Sequence, residues 1–387
     1  MKKIKYLKNK FCLCCNEKLK KGIKLPRFPV TEFYIHSSKK INTNYLVDQA
    51  YLYCDKCKHM TISKTLDPKF IYSNYTTISS QSRGASECLK NFYLFFKKNK
   101  ISTLKSTIID IGGNDSSFLK FFKAKNRINI DPNAHDSEKK VRIYRSFFDK
   151  INFAKFKSNN QNIFFSSHTL EHLDKPEDLI QNIATNMKNS DQLYLQFPSL
   201  ERLIFKKRFD QLCHQHLNFF SIKSINILLN LNNLYINRYE YDDSHFGTLR
   251  LLATKKNKFI KIKSININLK IIKKSFSLFC LKCKVFNNNQ LKNIKNGQGF
   301  GAGILTPVLA YFFPNLKKLK YIYDDNNTKF KTKFISMNPI IEDPKNINQN
   351  EKIVITSTST NFAPRDIKKR LLKLGCKKII IPPNAFF

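Results

Sequence analysis

The sequence predicts an α/β protein with two units built on parallel sheets and a small cysteine-bearing domain in front. Three observations predict it. Short β-rich runs alternate with stretches of helical apolar spacing through most of the chain. Two of these runs, near residues 111 and 299, end in glycine turns. Five of the ten cysteines fall within the first 75 residues. The expected domains are 1–75, 76–255 and 256–387.

In the first, Pro26, Pro29 and the polar stretch 37–44 leave room for loops and short strands. In the second, Thr107 to Ile111 reads as a strand running into Gly112-Gly113, followed by helical spacing from Ser116 to Phe122. Strands are expected at 128–131, 163–166 and 192–197. Pro176 to Met187 reads as a helix, with proline in its first turn and Glu177 and Asp178 at the positive end of its dipole. In the third, a helix is expected from Ile271 to Leu291, then strands at 321–325, 352–356 and 378–381.

Composition narrows the function. With 34 Phe and 16 Tyr, the 387 residues can build large cores, which excludes global disorder. The apolar run Gly303 to Phe313 is too short to span a bilayer, so no membrane insertion is expected. The net charge of +41 raises the idea of a polyanionic partner. However, 58 of the 69 basic residues are Lys, spread along the chain, and only 11 are Arg, the residue that reads phosphate bidentately. Nucleic acid is therefore the disfavoured reading, while anionic small molecules would be drawn in. Ten cysteines without a signal-peptide pattern point to a reducing, cytoplasmic setting.

Cys12-Leu13-Cys14-Cys15 and Cys54-Asp55-Lys56-Cys57 form two C-x2-C knuckles. Four thiolates so spaced close a tetrahedron around Zn²⁺ and leave no open position, so Cys12, Cys15, Cys54 and Cys57 are expected to hold a structural zinc. Cys14 is the spare. Cys280 and Cys283 lie in a helical stretch with no second pair nearby, and packing is expected of them, as of Cys88, Cys213 and Cys376.

Asp110-Ile111-Gly112-Gly113-Asn114 is a strand end feeding a glycine turn, where a ligand can approach the backbone closely. Asp131 ends the next strand, where an acid can bind ribose hydroxyls. No P-loop or G-x-G-x-x-G is present at this turn, which favours a nucleoside cofactor without phosphates, such as S-adenosylmethionine. Ser167 and His168, at the end of the 163–166 strand, join Asp110, Gly112, Gly113, Asn114 and Asp131 as cofactor candidates. His168, His172, His214, His216 and His245 all fall in segments that border strand ends, where open α/β sheets bind ligands.

Taken together these motifs resemble the sugar C-methyltransferase family of S-adenosylmethionine-dependent enzymes. The stretch Leu25 to Phe33 is similar to the family's linker, and Asp110 to Asp115 resembles its D-I-G-x-N-D-G motif, with Ser116 in place of the final glycine. Thr169-Leu170-Glu171-His172 resembles the motif after the fourth core strand. Phe209 to Ser221 is similar to F-D-x-x-Y-H-E-H-x-x-Y-F-S, and Ser244 to Arg250 to H-x-G-S-x-R. The resemblance implies a class I methyltransferase Rossmann-like core between a zinc-binding N-terminal domain and a C-terminal Rossmann-like domain. It implies a nucleotide-linked sugar as substrate, His216 as the base, and His172, His214 and Tyr75 in the site. Two departures matter: Cys213 stands for the family Tyr and Gln215 for its Glu. Gln215 cannot ionise, so transfer to oxygen or nitrogen competes with C-methylation.

Overall fold

The computed structural model describes residues 4–72, 78–135, 140–156, 160–243, 245, 247–357 and 363–383. Its centre is a seven-stranded sheet. In spatial order the strands are Tyr235–Asp242, Thr248–Thr254, Gln192–Pro198, Asn162–Ser167, Thr107–Ile111, Asn126–Ile130 and Arg142–Tyr144. Only Thr248–Thr254 runs antiparallel to its neighbours. The order of connection reverses between Thr107–Ile111 and Asn162–Ser167, which opens a crevice beyond their carboxyl ends. Both strands are almost wholly buried, as runs such as Thr-Ile-Ile-Asp-Ile require when helices cover both faces.

The helix Arg83–Lys97 covers one face and packs Phe92, Phe95 and Phe96 against Phe118, Phe122, Phe165 and Tyr194. The other face is covered by Pro176–Asn186 and by Ile222–Asn230, the latter started by a capping box at Ser221 and Ser224. The helix expected over 116–122 is only a 3₁₀ turn, Leu119–Phe121. Ser116 takes a left-handed φ of 61°, which delays helix entry, and one turn already buries Phe118, Leu119 and Phe122.

A second seven-stranded sheet is parallel through Ile379–Ile380, Ile353–Ile355, Gln298–Phe300, Tyr321–Tyr323 and Ile340–Glu342. Its order reverses between Gln298–Phe300 and Ile353–Ile355, so it has a crevice of its own. The expected long helix is present as Leu269–Asn289 and carries Cys280 and Cys283.

The N-terminal residues form longer strands than the short ones expected, Lys20–Pro29 and Leu46–Tyr53. Lys20–Pro29 is an edge strand with a register shift between Leu25 and Phe28, and this accommodates Pro26, which has no N–H to give a ladder. The three segments exchange strands. Tyr34–His36 completes the C-terminal sheet against Thr332–Phe334, and Asn218–Phe219 completes the N-terminal sheet against Met60–Ile62. Among the described residues no helix is long and apolar enough to cross a membrane.

Candidate active site and metal centre

Each C-x2-C knuckle is a tight turn closed by one backbone bond, Asn16 N to Cys12 O and Lys58 N to Cys54 O, both 2.9 Å. The turns face each other: Cys12 Sγ lies 3.5 Å from Cys57 Sγ, and Cys15 Sγ 3.6 Å from Cys54 Sγ. A Zn–S bond of about 2.3 Å gives tetrahedral edges of roughly 3.8 Å, so the four sulfurs fit a zinc ion. Cys14 turns away and donates its thiol to Ser224 O at 3.2 Å. The cluster packs on Ile222, Ile225 and Leu228 of the central domain, so it is a support for that domain rather than an appendage.

Beyond the central crevice lies a cavity of about 690 Å³. Gly112 and Gly113 form one wall. Gly112 has φ +77°, and a Cβ there would sit 1.9 Å from Thr169 Oγ1. At Gly113 a Cβ would meet Asn129 Oδ1 at 2.5 Å and Asp110 Oδ2 at 2.7 Å. Asp131 accepts the backbone N–H of Asn114 at 3.0 Å and of Asn133 at 2.7 Å, which fixes its carboxylate at the strand end. Burial raises the Asp131 carboxyl. Asp110 is buried with Oδ1 unpartnered, and burial, with Asp131 and Asp115 nearby, pushes it up to about 8. Ser116, the departure from the glycine of the motif, adopts glycine's left-handed backbone and accepts Asn129 Nδ2 at 2.9 Å. Asp110, Gly112, Gly113, Asn114, Asp131, Ser167 and His168 all line the cavity. An open glycine wall, a fixed acid at the next strand end and an orphaned buried carboxyl oxygen fit an adenosine-bearing ligand.

A cluster of imidazoles and carboxyls lies past this crevice. His172 donates from Nδ1 to Gln215 O at 2.9 Å, which leaves Nε2 as its lone-pair nitrogen. His172 and His216 rings are 5.1 Å apart, and the ligand atoms of Glu171, His172 and His216 lie within 4.8 Å of one another. Glu171 Oε1 accepts from His168 Nδ1 at 3.1 Å, while Oε2 has no partner. Burial raises the Glu171 carboxyl to about 7 and lowers His172. Burial, then the neighbouring His172, His168 and His245, hold His216 well below the usual imidazole range. Burial thus favours the neutral form of both imidazoles, the form that has a lone pair to take a proton.

His214 does not line the cavity. Its ring is buried against Phe28, with Nδ1 3.2 Å from Gln49 Nε2 and Nε2 3.3 Å from Phe28 O. Tyr75 lies outside the described residues. Tyr72 lines the cavity instead, its ring 6.3 Å from His172. Cavity residues that sequence reasoning passed over include Thr31, Glu32 and Tyr34. Thr31 Oγ1 donates to Gln215 Oε1 at 2.9 Å, and Gln215 Nε2 donates to Glu32 Oε2 at 3.2 Å. For Thr31 and Glu32 the signal lay in the Leu25 to Phe33 linker, where this polar pair sits between the apolar Phe28-Pro29-Val30 and Phe33. Glu32, Asn114, His168 and His245 all line the cavity with left-handed backbones, a cluster of strain of the kind held at functional sites.

The cavity does not stop at the histidines. It reaches the second glycine turn, where Gly303, Asn326, Lys329 and Ser357 line it. There Ala302 N donates to Asp324 Oδ2 at 2.7 Å, the same turn-to-acid bond that Asn114 makes with Asp131.

Residues 81–238 match a family model described as a methyltransferase domain. That span holds the glycine turn, Asp131 and the histidine cluster. The chain therefore carries a methyltransferase domain on a Rossmann-like α/β core. No curated protein matches it. Similar solved structures include the magnesium protoporphyrin IX methyltransferase of Synechocystis with bound SAH, at 13% identity, 49% of this chain, 92% of that one and a TM-score of 0.34. An S-adenosylmethionine-dependent methyltransferase of Anabaena variabilis matches at 12% identity over 49% of this chain and 91% of its own, with a TM-score of 0.37.

Proposed function

We propose that this chain transfers the methyl group of S-adenosylmethionine to a nucleotide-linked sugar, with His216 as the general base and the zinc in a structural role. One observation carries the reading: a single cavity runs from the cofactor crevice, past the histidine cluster, to a second glycine turn with Lys329 beside it. A ligand spanning that length would carry a reacting group at the histidines and a second recognition group at the far turn. The basic chain favours an anionic carrier such as a nucleotide.

The sulfonium methyl is already activated, so the protein's part is alignment and proton removal. Gly112 and Gly113 admit the adenosine portion, and Asp131 holds its ribose. Asp110, raised by burial, offers a proton as donor. Neutral His216 takes the acceptor's proton, and His172, fixed by Gln215 O, steers the acceptor through Nε2. Calorimetry with S-adenosylhomocysteine, followed by a methyl-transfer screen of nucleotide sugars, tests the reading. Binding of S-adenosylhomocysteine with no transfer to any nucleotide sugar overturns the sugar assignment.

A further inference from the structure

We propose that the outer face of the long helix Leu269–Asn289 docks on an anionic phospholipid bilayer, because an apolar row stands exposed along it among lysines that have no acid to pair with. The inference is independent of the methyltransferase reading and concerns a different face of the molecule.

One side of this helix is spoken for. Ile272, Phe279 and Cys283 are buried in the core beneath it, where Phe279 meets Phe312 at 4.8 Å. The opposite side should then be polar. Instead it carries Leu278, Leu281 and Val285, which are 42%, 57% and 51% exposed. Their i, i+3, i+7 spacing aligns them in one row. The exposed Lys274 continues the row, and the exposed Lys270, Lys282 and Lys284 flank it. The segment leading into the helix adds Phe259, 88% exposed, among Lys256, Lys258 and Lys261.

The sequence around the helix is purely basic. Between Asp243 and Asp324 lie 80 residues with no Asp or Glu, and they hold 15 lysines. The chain as a whole has 28 acids in 387 residues, so a general excess of lysine does not account for this gap. Among the described residues every ion pair uses other cations, and Lys270, Lys273, Lys274, Lys282 and Lys284 are left uncommitted.

An uncovered apolar row among ammonium groups fits a surface that is apolar within and anionic at its rim. The leucines enter the headgroup boundary, while the lysines lay their stems along the row and reach the lipid phosphates with their ends. The helix lies on such a surface and does not cross it, since it is not apolar enough to span a bilayer and its inner side belongs to the core. A second copy of the chain would set lysines against lysines. A nucleic acid offers phosphates but nothing for the leucines, and the helix holds no Arg.

The test adds the full chain to vesicles of phosphatidylcholine alone, or of equal parts phosphatidylcholine and phosphatidylserine, and reads binding by cosedimentation. Binding to the anionic vesicles is expected, weakening as salt rises, with little to the neutral ones. Leu278→Ser/Leu281→Ser/Val285→Ser should weaken it by about 10-fold or more. Lys274→Gln/Lys282→Gln should weaken it by about 5-fold for each lysine. Unchanged S-adenosylhomocysteine affinity shows that the variants are folded. Absence of binding, equal binding to both kinds of vesicle, or anionic binding that the serine variant retains in full overturns the proposal. A dimer in sedimentation velocity that the serine variant loses assigns the face to a second copy and overturns it too. The chain has no Trp, so Leu281→Trp gives a second reading should the serine variant not fold. Its emission should shift to the blue on anionic vesicles and be quenched by brominated acyl chains, and an unchanged spectrum overturns the proposal. None of these outcomes touches the methyl-transfer reading, which stands or falls on its own experiment.

Discussion

The hydroxyl of Tyr51, on the strand Leu46–Tyr53 of the cysteine-bearing N-terminal segment, lies 2.9 Å from the backbone carbonyl of His216 and 2.7 Å from that of Cys213. Two further bonds from the same sheet, Ile62 N at 2.9 Å and Thr61 Oγ1 at 3.0 Å, hold Leu217 O. Leu217 N in turn donates to Glu171 O at 2.8 Å. The segment bearing Gln215 and His216 is thus pinned from one side by the cysteine domain and from the other by the turn bearing Glu171 and His172.

Zinc removal should therefore reach the active site. Purified protein is expected to hold one zinc per chain, and Cys54→Ala/Cys57→Ala to lose it together with a large fall in melting temperature. Tyr51→Phe removes only the pin and should cost about 0.5–1.5 kcal/mol of stability. It should lower kcat more than S-adenosylhomocysteine affinity. Zinc-free protein that melts at the wild-type temperature would contradict this.

Asp131→Ala should weaken S-adenosylhomocysteine binding by about 10- to 150-fold, from a loss of roughly 1.5–3 kcal/mol in a hydrogen bond to a charged group. Calorimetry reads this directly. An unchanged affinity would remove Asp131 from the ribose site.

Gly112→Ala places a methyl against Thr169 Oγ1 on a left-handed backbone. The backbone term alone is about 1–2 kcal/mol, or roughly 5- to 30-fold in affinity if it falls on the binding-competent state. Thermal melts with and without S-adenosylhomocysteine separate the loss of fold from the loss of binding.

His216→Asn should retain cofactor affinity and lower turnover by roughly 10²–10⁴. Because burial and neighbouring imidazoles depress His216, its base form persists into acid. The acid limb of the wild-type rate profile should then lie well below pH 6.5, the ordinary imidazole value. Near-normal turnover by His216→Asn would transfer the role to His172.

Acid should also destabilise the fold through histidines buried in neutral form. His214 is lowered to about 4 and His168 to about 3, both by burial. Below pH ~6.5 the unfolded chain binds protons that the folded chain refuses, so stability is full above that pH and falls as pH drops towards the folded values. The slope is about 1.4 kcal/mol per pH unit for each such histidine. Denaturant melts of wild type and His214→Gln between pH 7 and 5 should show a shallower slope in the variant.

What could be read from the sequence was local. Thr107 to Ile111 ends in Gly112-Gly113, and apolar β-branched residues stopped by glycine carry both the strand and the wall of the crevice. Cys12, Cys15, Cys54 and Cys57 come as two self-contained turns, so their spacing alone predicts four sulfurs within reach. His214 shows the limit: it stands two residues from His216 in the same motif, yet its ring is consumed by Gln49 and Phe28 on a strand pair some 170 residues away. Glu32 was hidden for the same reason, since its partner Gln215 lies 183 residues further along. The helix expected at 116–122 failed because the left-handed Ser116 and aromatic burial overrode its apolar spacing.

The exchange of strands sets the order in which this chain can mature. Tyr34 cannot find its sheet partner Phe334 until some 300 further residues have been made. At ribosomal speeds of about 5–20 residues per second, that wait is roughly 15–60 s. The edge Met60–Ile62 likewise waits for Asn218–Phe219. During this interval the unpaired edges of the first domain are open to wrong neighbours, and a metal held by the four cysteines would help to keep that domain compact. A fragment ending before residue 332 would leave that wait permanent, so the three segments mature as one piece.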